Sequence, residues 1–175
     1  NNIMLSRYGL RVATEGVAMV HNLILGAFTM VGSGVDNWVD GREQRRYTPY
    51  HIRHRTEVAG MMTILHGDNR FYNNIFVQGH PITNEEPKES PFHQQVGTHV
   101  WDEYPTYKEW IAKFDMEEEK PDMGKLEPAH FSHLPVWADG NVYLAGAKAW
   151  KKEKHNLVKD DADVQIELLE EDGQD

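Results

Sequence analysis

The sequence contains no cysteine, which rules out disulfides and thiolate-bound metal. No run approaches the roughly 18 apolar residues that a membrane-spanning helix needs, so no membrane partner is expected. The first residues, Asn1 to Leu5, hold no basic stretch leading into an apolar one. No secretory signal is therefore visible, and a cytoplasmic location is expected. Arginine is missing after Arg70 and lysine before Lys88. Residues 1–80 carry a net charge of +2 and residues 81–175 one of −12. An acidic half of that size offers no footprint for nucleic-acid phosphates. A hydrophobic content of 39% and a mean hydropathy of −0.66 over 175 residues fit one ordinary water-soluble domain or two small ones.

What the chain does have is an internal echo. Asn1-Asn2-Ile3-Met4-Leu5 returns as His21-Asn22-Leu23-Ile24-Leu25 and again as Asn73-Asn74-Ile75-Phe76-Val77. Short apolar runs at such spacing suggest stacked turns of a β-solenoid. In a right-handed parallel β-helix, equivalent side chains stack about 4.8 Å apart, and one Asn per turn can form an amide ladder. Asn2, Asn22 and Asn74 are then expected at equivalent corners, with Ile3, Leu23 and Ile75 in the core. Residues 1–31 and 58–77 are expected to be parallel turns. The interval from Asn22 to Asn74 is too long for one turn; it hides either a long loop or a degenerate extra turn. The competing reading is a chance tripeptide in two or three hairpins.

Beyond Gln78 the character changes. Residues 79–100 are rich in proline, polar residues and acids and read as an excursion. Tyr107, Trp110, Ile111 and Phe114 share one helical face after Pro105-Thr106, which predicts a short helix over Tyr107–Phe114. Asn141 to Ala147 reads as a strand, and the alternation after Asp163 predicts another over Val164–Leu168. The expected fold class is all-β: a right-handed parallel β-helix over residues 1–80 with a long loop at 32–56. Residues 81–175 are expected to stand outside the stack as an excursion, a short helix and a β-sandwich-like region.

The stretch Val31 to His66 carries the candidate chemistry. A small-residue break at Gly32-Ser33-Gly34 opens it. Asp36, Asp40, five arginines, Trp38, Tyr47, Tyr50, His51 and His54 follow, and Glu57 stands at its far foot. Glycosidic cleavage with retention needs two carboxylates about 5–5.5 Å apart, one attacking and one protonating the leaving oxygen. Asp36 and Glu57 could supply them; two salt-bridged surface acids would read the same. His51, His54 and Glu57 are spaced three apart, but Pro49 argues against a helix and no H-E-x-x-H is present, so no metal is expected. Either histidine could instead orient a carboxylate or a sugar hydroxyl. Trp38, Tyr47 and Tyr50 could stack on sugar rings or simply anchor the loop. The arginines could pair with acids, and no glycine-rich loop leads into a helix to hold phosphate.

Three blocks in order carry a family likeness: V-G-S-G-V-D-N-W-V-D-G over 31–41, R-Y-T-P-Y-H-I-R-H-R-T-E-V over 46–58 and T-I-L-H-G-D-N-R-F-Y-N-N-I-F-V over 63–77. Together they resemble the parallel β-helix β-xylosidases of glycoside hydrolase family 120. The likeness covers about residues 1–78 and is looser beyond. It implies a retaining mechanism with an Asp nucleophile at Asp36 and a Glu acid/base at Glu57, Asp40 being a second candidate for nucleophile. Trp38, Asp40, Tyr50, His51, His54 and His66 are the expected substrate-binding residues. The resemblance also implies further turns on either side of this stretch, and a short xylo-oligosaccharide as substrate. No cofactor is expected, and a homo-oligomer stays open. Two other classes stay open as well: a non-catalytic carbohydrate-binding or structural β-solenoid, and a β-helix polysaccharide lyase, which would call on the arginine cluster and often Ca²⁺.

Overall fold

Side chains alternate sides along a strand, and this chain uses that alternation to put asparagine inside at a recurring corner. The computed structural model describes residues 1–30, 47–83, 94–114 and 132–167, with the backbone of 38–39 and 42–43. The described chain is mostly strand. In order come β1 (Ile3–Met4), β2 (Tyr8–Val12), β3 (Ala18–Val20), β4 (Leu23–Ile24), β5 (Ala27–Met30), β6 (Trp38–Val39) and β7 (Arg42–Glu43). Then follow β8 (Tyr47–His51), β9 (Val58–Thr63), β10 (Asn69–Tyr72), β11 (Ile75–Val77), β12 (Val136–Asp139), β13 (Asn141–Leu144) and β14 (Asn156–Lys159). A short helix, α1 (Tyr107–Ile111), lies between β11 and β12.

Three sheets pair entirely in parallel. Their strand orders are β1-β4-β11-β13-β14, β12-β10-β3 and β2-β5. Registers align Ile3 with Leu23, Leu23 with Ile75, Ile75 with Val142 and Val142 with Leu157. Because β4 pairs directly with β11, the interval between Asn22 and Asn74 is a single step of the stack with a long insertion. Among the described residues no further strand lies between β4 and β11 in that sheet.

The corner that precedes each ladder asparagine is one residue in the left-handed region. His21, Asn73 and Gly140 have φ of 55°, 53° and 69°, and each stands directly before Asn22, Asn74 or Asn141. That conformation suits glycine and asparagine best. At Gly140 a Cβ would lie 2.3 Å from Asn73 Oδ1, so a larger residue there would require the Asn73 side chain to shift.

The ladder itself runs one way. Asn2 donates its backbone N–H and its Nδ2 to Asn22 Oδ1, both at 2.9 Å. Asn22 does the same to Asn74 Oδ1 at 3.0 and 2.8 Å, and Asn74 to Asn141 Oδ1 at 3.0 Å each. Asn141 then gives both donors to Glu153 Oε1, at 3.3 and 2.8 Å. Second amide hydrogens reach across to the Met19 and Phe71 carbonyls. The other Glu153 oxygen accepts from the Tyr143 hydroxyl at 2.7 Å. Since Tyr143 spends its proton there, Thr98 Oγ1 donates to Tyr143 at 2.8 Å, and in turn accepts from the Trp150 N–H. Burial, and next the Glu153 charge, push the Tyr143 hydroxyl far above its usual pKa, so it remains a donor.

With asparagine inside, the next residue must face out. Ile3 and Ile75 are 62% and 42% exposed, and the expectation that Ile3, Leu23 and Ile75 fill the core is corrected. The residues one further on do so: Ile24, Phe76 and Tyr143 are fully buried, with Met4 packed against them. Phe76 stacks on Tyr143 with ring centroids 5.0 Å apart. Phe28 meets Phe76 edge-on, and Trp101 fills the space against Phe28 and Phe71.

Three further expectations change. Residues past 80 were expected outside the stack, but β12 pairs in parallel with β10, and β13 with β11. Trp101, from the excursion between them, is part of the same core. Residues 58–63 are a strand as expected, yet an antiparallel one, paired with β8. The strand expected over Val164–Leu168 is not formed at 164–167, and Leu168 lies outside the described residues; the last strand among the described residues is β14.

The helix over Tyr107–Phe114 forms as α1 followed by a 3-10 turn at Ala112–Phe114. Thr106 caps it: its Oγ1 accepts the Glu109 N–H while Glu109 Oε2 accepts the Thr106 N–H, a reciprocal capping box. Lys152 also binds Glu109 at 2.8 Å and reaches the Tyr104 carbonyl, which ties the helix to the body.

Two stability outcomes follow from these contacts. Asn74→Ala strands the Asn22 donors in a buried site and takes one amide hydrogen each from the Met19 carbonyl and from Asn141 Oδ1, which keeps the backbone N–H of residue 74. Urea unfolding is expected to show a loss on the order of 3 kcal/mol, against less than about 1 kcal/mol for Asn2→Ala at the exposed end. Equal losses would mean the ladder is not the source. The Lys152 ammonium, then the Thr106 N–H, hold the Glu109 carboxyl down at about 2, from an ordinary 4.5. A depressed carboxylate stabilises the fold above its unfolded pKa and loses that effect as pH falls. Stability should therefore drop between about pH 4.5 and 2, modestly because the pair is exposed. Glu109→Gln should flatten that step in pH-dependent melting.

Candidate functional site

The candidate acid Glu57 sits on a hairpin. β8 and β9 pair antiparallel, with Tyr47 opposite Thr63, Tyr50 opposite Gly60 and His51 opposite Val58. Pro49 is accommodated because β8 is an edge strand that needs no donor there. Gly60 leaves room for the Tyr50 ring, as a Cβ on it would come within 2.6 Å of that ring. The connection is closed by Arg55 N–H donating to the Ile52 carbonyl at 2.9 Å, with His54 in the left-handed region at φ 64°.

Glu57 is the last residue before β9 and its side chain is exposed. Its backbone carbonyl accepts from His51 Nδ1 at 3.0 Å. A carbonyl cannot donate, so Nδ1 carries the proton, and a neutral His51 leaves Nε2 as an acceptor. The structure thus brings His51, His54 and Glu57 together at the hairpin tip, all exposed, with Tyr50 one step down the strand. The tip can present a carboxyl group and an imidazole to a ligand from solvent.

The other predicted site residues fall differently. Asp36 and Asp40 lie outside the described residues. Trp38 is described only as backbone, in the two-residue strand β6, antiparallel to β7. His66 is 1% exposed, at a left-handed corner where its carbonyl accepts the Leu134 N–H. Its side chain is buried.

A cavity of 830 Å³ opens beside the hairpin, between it and the helical segment. Tyr47, Tyr50 and Met61 come from the hairpin, Trp110 and Phe114 from the helical segment, and Glu15 from the turn after β2. Glu15 is fixed there by two contacts: its Oε2 accepts the Leu65 N–H at 3.0 Å, and its backbone bridges in parallel to Gly67. Trp110 and Phe114 meet edge-on at 4.9 Å. Sequence reading singled out Trp110 and Phe114 only as a helical face and missed Glu15. The signal for the latter was an acid beside Gly16, at the end of an apolar run. Among the described residues, no group of three His, Asp or Glu side chains could hold a metal ion.

No protein-family model matches the sequence, and no curated protein does. Among solved structures, the complex of XylC with xylose is similar to this chain. The identity is 34% over 92% of the chain, with a TM-score of 0.63. This chain covers 21% of the XylC chain, about a fifth of its length.

Proposed function

We propose that the chain is a section of a right-handed parallel β-helix glycosidase that releases xylose from short β-xylo-oligosaccharides with retention, like the β-xylosidases of glycoside hydrolase family 120. The observation that carries this reading is the 34% identity to XylC, solved with xylose, across 92% of the chain. The parallel sheets and the asparagine ladder support the fold part of it. The exposed Glu57 at a hairpin tip supports the site part. The similarity to a protein solved in complex with xylose, a neutral sugar, favours hydrolysis over lyase action on an acidic one.

In this reading Asp36 attacks the anomeric carbon and Glu57 protonates the departing oxygen. Once Asp36 is glycosylated, Glu57, its proton given to the departing oxygen, can take a proton from the incoming water. His51 fixes the backbone that carries Glu57 and so acts as a positioning residue.

The test uses the full protein. Asp36→Asn should abolish turnover of every substrate. Glu57→Gln should spare the first step for substrates with good leaving groups, since these need little protonation. Added azide should then restore its second step and yield a β-glycosyl azide, seen by NMR. An Asp36→Asn enzyme of near-normal activity would remove the assignment, and an α-glycosyl azide would remove retention.

A further inference from the structure

We infer that the cavity between the hairpin and the helical segment binds the distal rings of a neutral oligosaccharide, which deepens the glycosidase reading and rests on it. Its volume of 830 Å³ lies in the range of organic-ligand sites and exceeds what one small ion needs. Tyr47, Tyr50, Trp110 and Phe114 line it from two separate segments. Aromatic faces are electron-rich and pack against the C–H faces of sugar rings. The Tyr hydroxyls and Glu15 add polar groups at the wall. One Glu15 oxygen already accepts the Leu65 N–H, yet a carboxylate has about four lone-pair sites, enough to take sugar hydroxyl protons as well.

The carboxylate decides between ligand classes. It repels a phosphate or uronate and penalises a wholly apolar guest, which would strip its water without replacing it. A cation could also enjoy an acid among aromatic rings, but a small one would leave most of this volume unfilled.

Placement supports a role away from the bond that breaks. The wall begins beside the hairpin tip with Tyr50, which precedes His51, and runs on to Met61, four residues from Glu57 and about 13 Å away at strand rise. A ligand with one end at the Glu57 tip would meet Tyr50 first and reach the far wall at Met61 and Trp110 only with rings further along its chain. Ring count therefore determines how much of the cavity is used.

Trp110→Ala in the full protein should raise KM for xylotriose roughly tenfold, the loss of one ring contact. KM for an aryl xyloside, and kcat for both, should stay unchanged. Isothermal titration with xylotriose should show the same weakening without turnover. Tyr47→Ala, on an exposed strand, repeats the test should Trp110→Ala fold poorly by circular dichroism. Equal KM changes for both substrates, or no change in either variant, would overturn the inference while leaving the hydrolysis reading intact. Binding of tetramethylammonium more tightly than xylotriose would overturn it too. If the wild-type protein hydrolyses nothing yet xylotriose binding still depends on Trp110, the glycosidase reading fails and the cavity stands as a sugar site.

Discussion

Every amide in the asparagine ladder donates in the same direction, and the run stops on a group that only accepts. That constraint organises the rest. A buried side-chain amide without partners costs more than its hydrogen bonds return, so each ladder asparagine depends on the one stacked beside it. Glu153 completes the series because its carboxylate has no proton to place. It receives amide hydrogens on one oxygen and the Tyr143 hydroxyl on the other. The chain of donors from Trp150 through Thr98 and Tyr143 approaches the same carboxylate from the opposite side. Two series of donors converge on one charge, and one of the donors, Tyr143, is itself stacked on Phe76 in the aromatic core.

The ladder also explains which parts of the fold were legible. Asn2, Asn22 and Asn74 were readable because each sits beside an apolar run, and their equivalence is what the structure shows. The facing residues were read one position off, because an inward asparagine forces Ile3 and Ile75 outward by the period of the strand. Asn141 is a fourth member, and its signal was the glycine before it, which plays the part of His21 and Asn73. It was missed because the preceding member lies 67 residues away across a stretch of different composition. The strand at 58–63 was readable from its apolar content, but not its pairing: Met61 and Met62 look like core and are exposed.

The candidate site divides the same way. The hairpin-tip group was visible in sequence because His51, His54 and Glu57 are near neighbours, and local proximity survives folding. The cavity wall was not, because Glu15, Tyr50, Met61 and Trp110 come from four separated segments and no spacing joins them. His66 entered through the family likeness, and the structure places it at a left-handed corner, buried.

Successive asparagine contacts span 20, 52 and 67 residues of chain, while each step repeats the same pair of donors to one amide oxygen. Register is thus counted in corners and not in residues. Because closing a loop grows costlier only slowly with its length, segments between corners can lengthen or shorten wherever, unlike the stretch that carries Trp101, they send no side chain into the core. A lineage built on such a stack can remodel its recognition surface by changing the length of inserts of that kind.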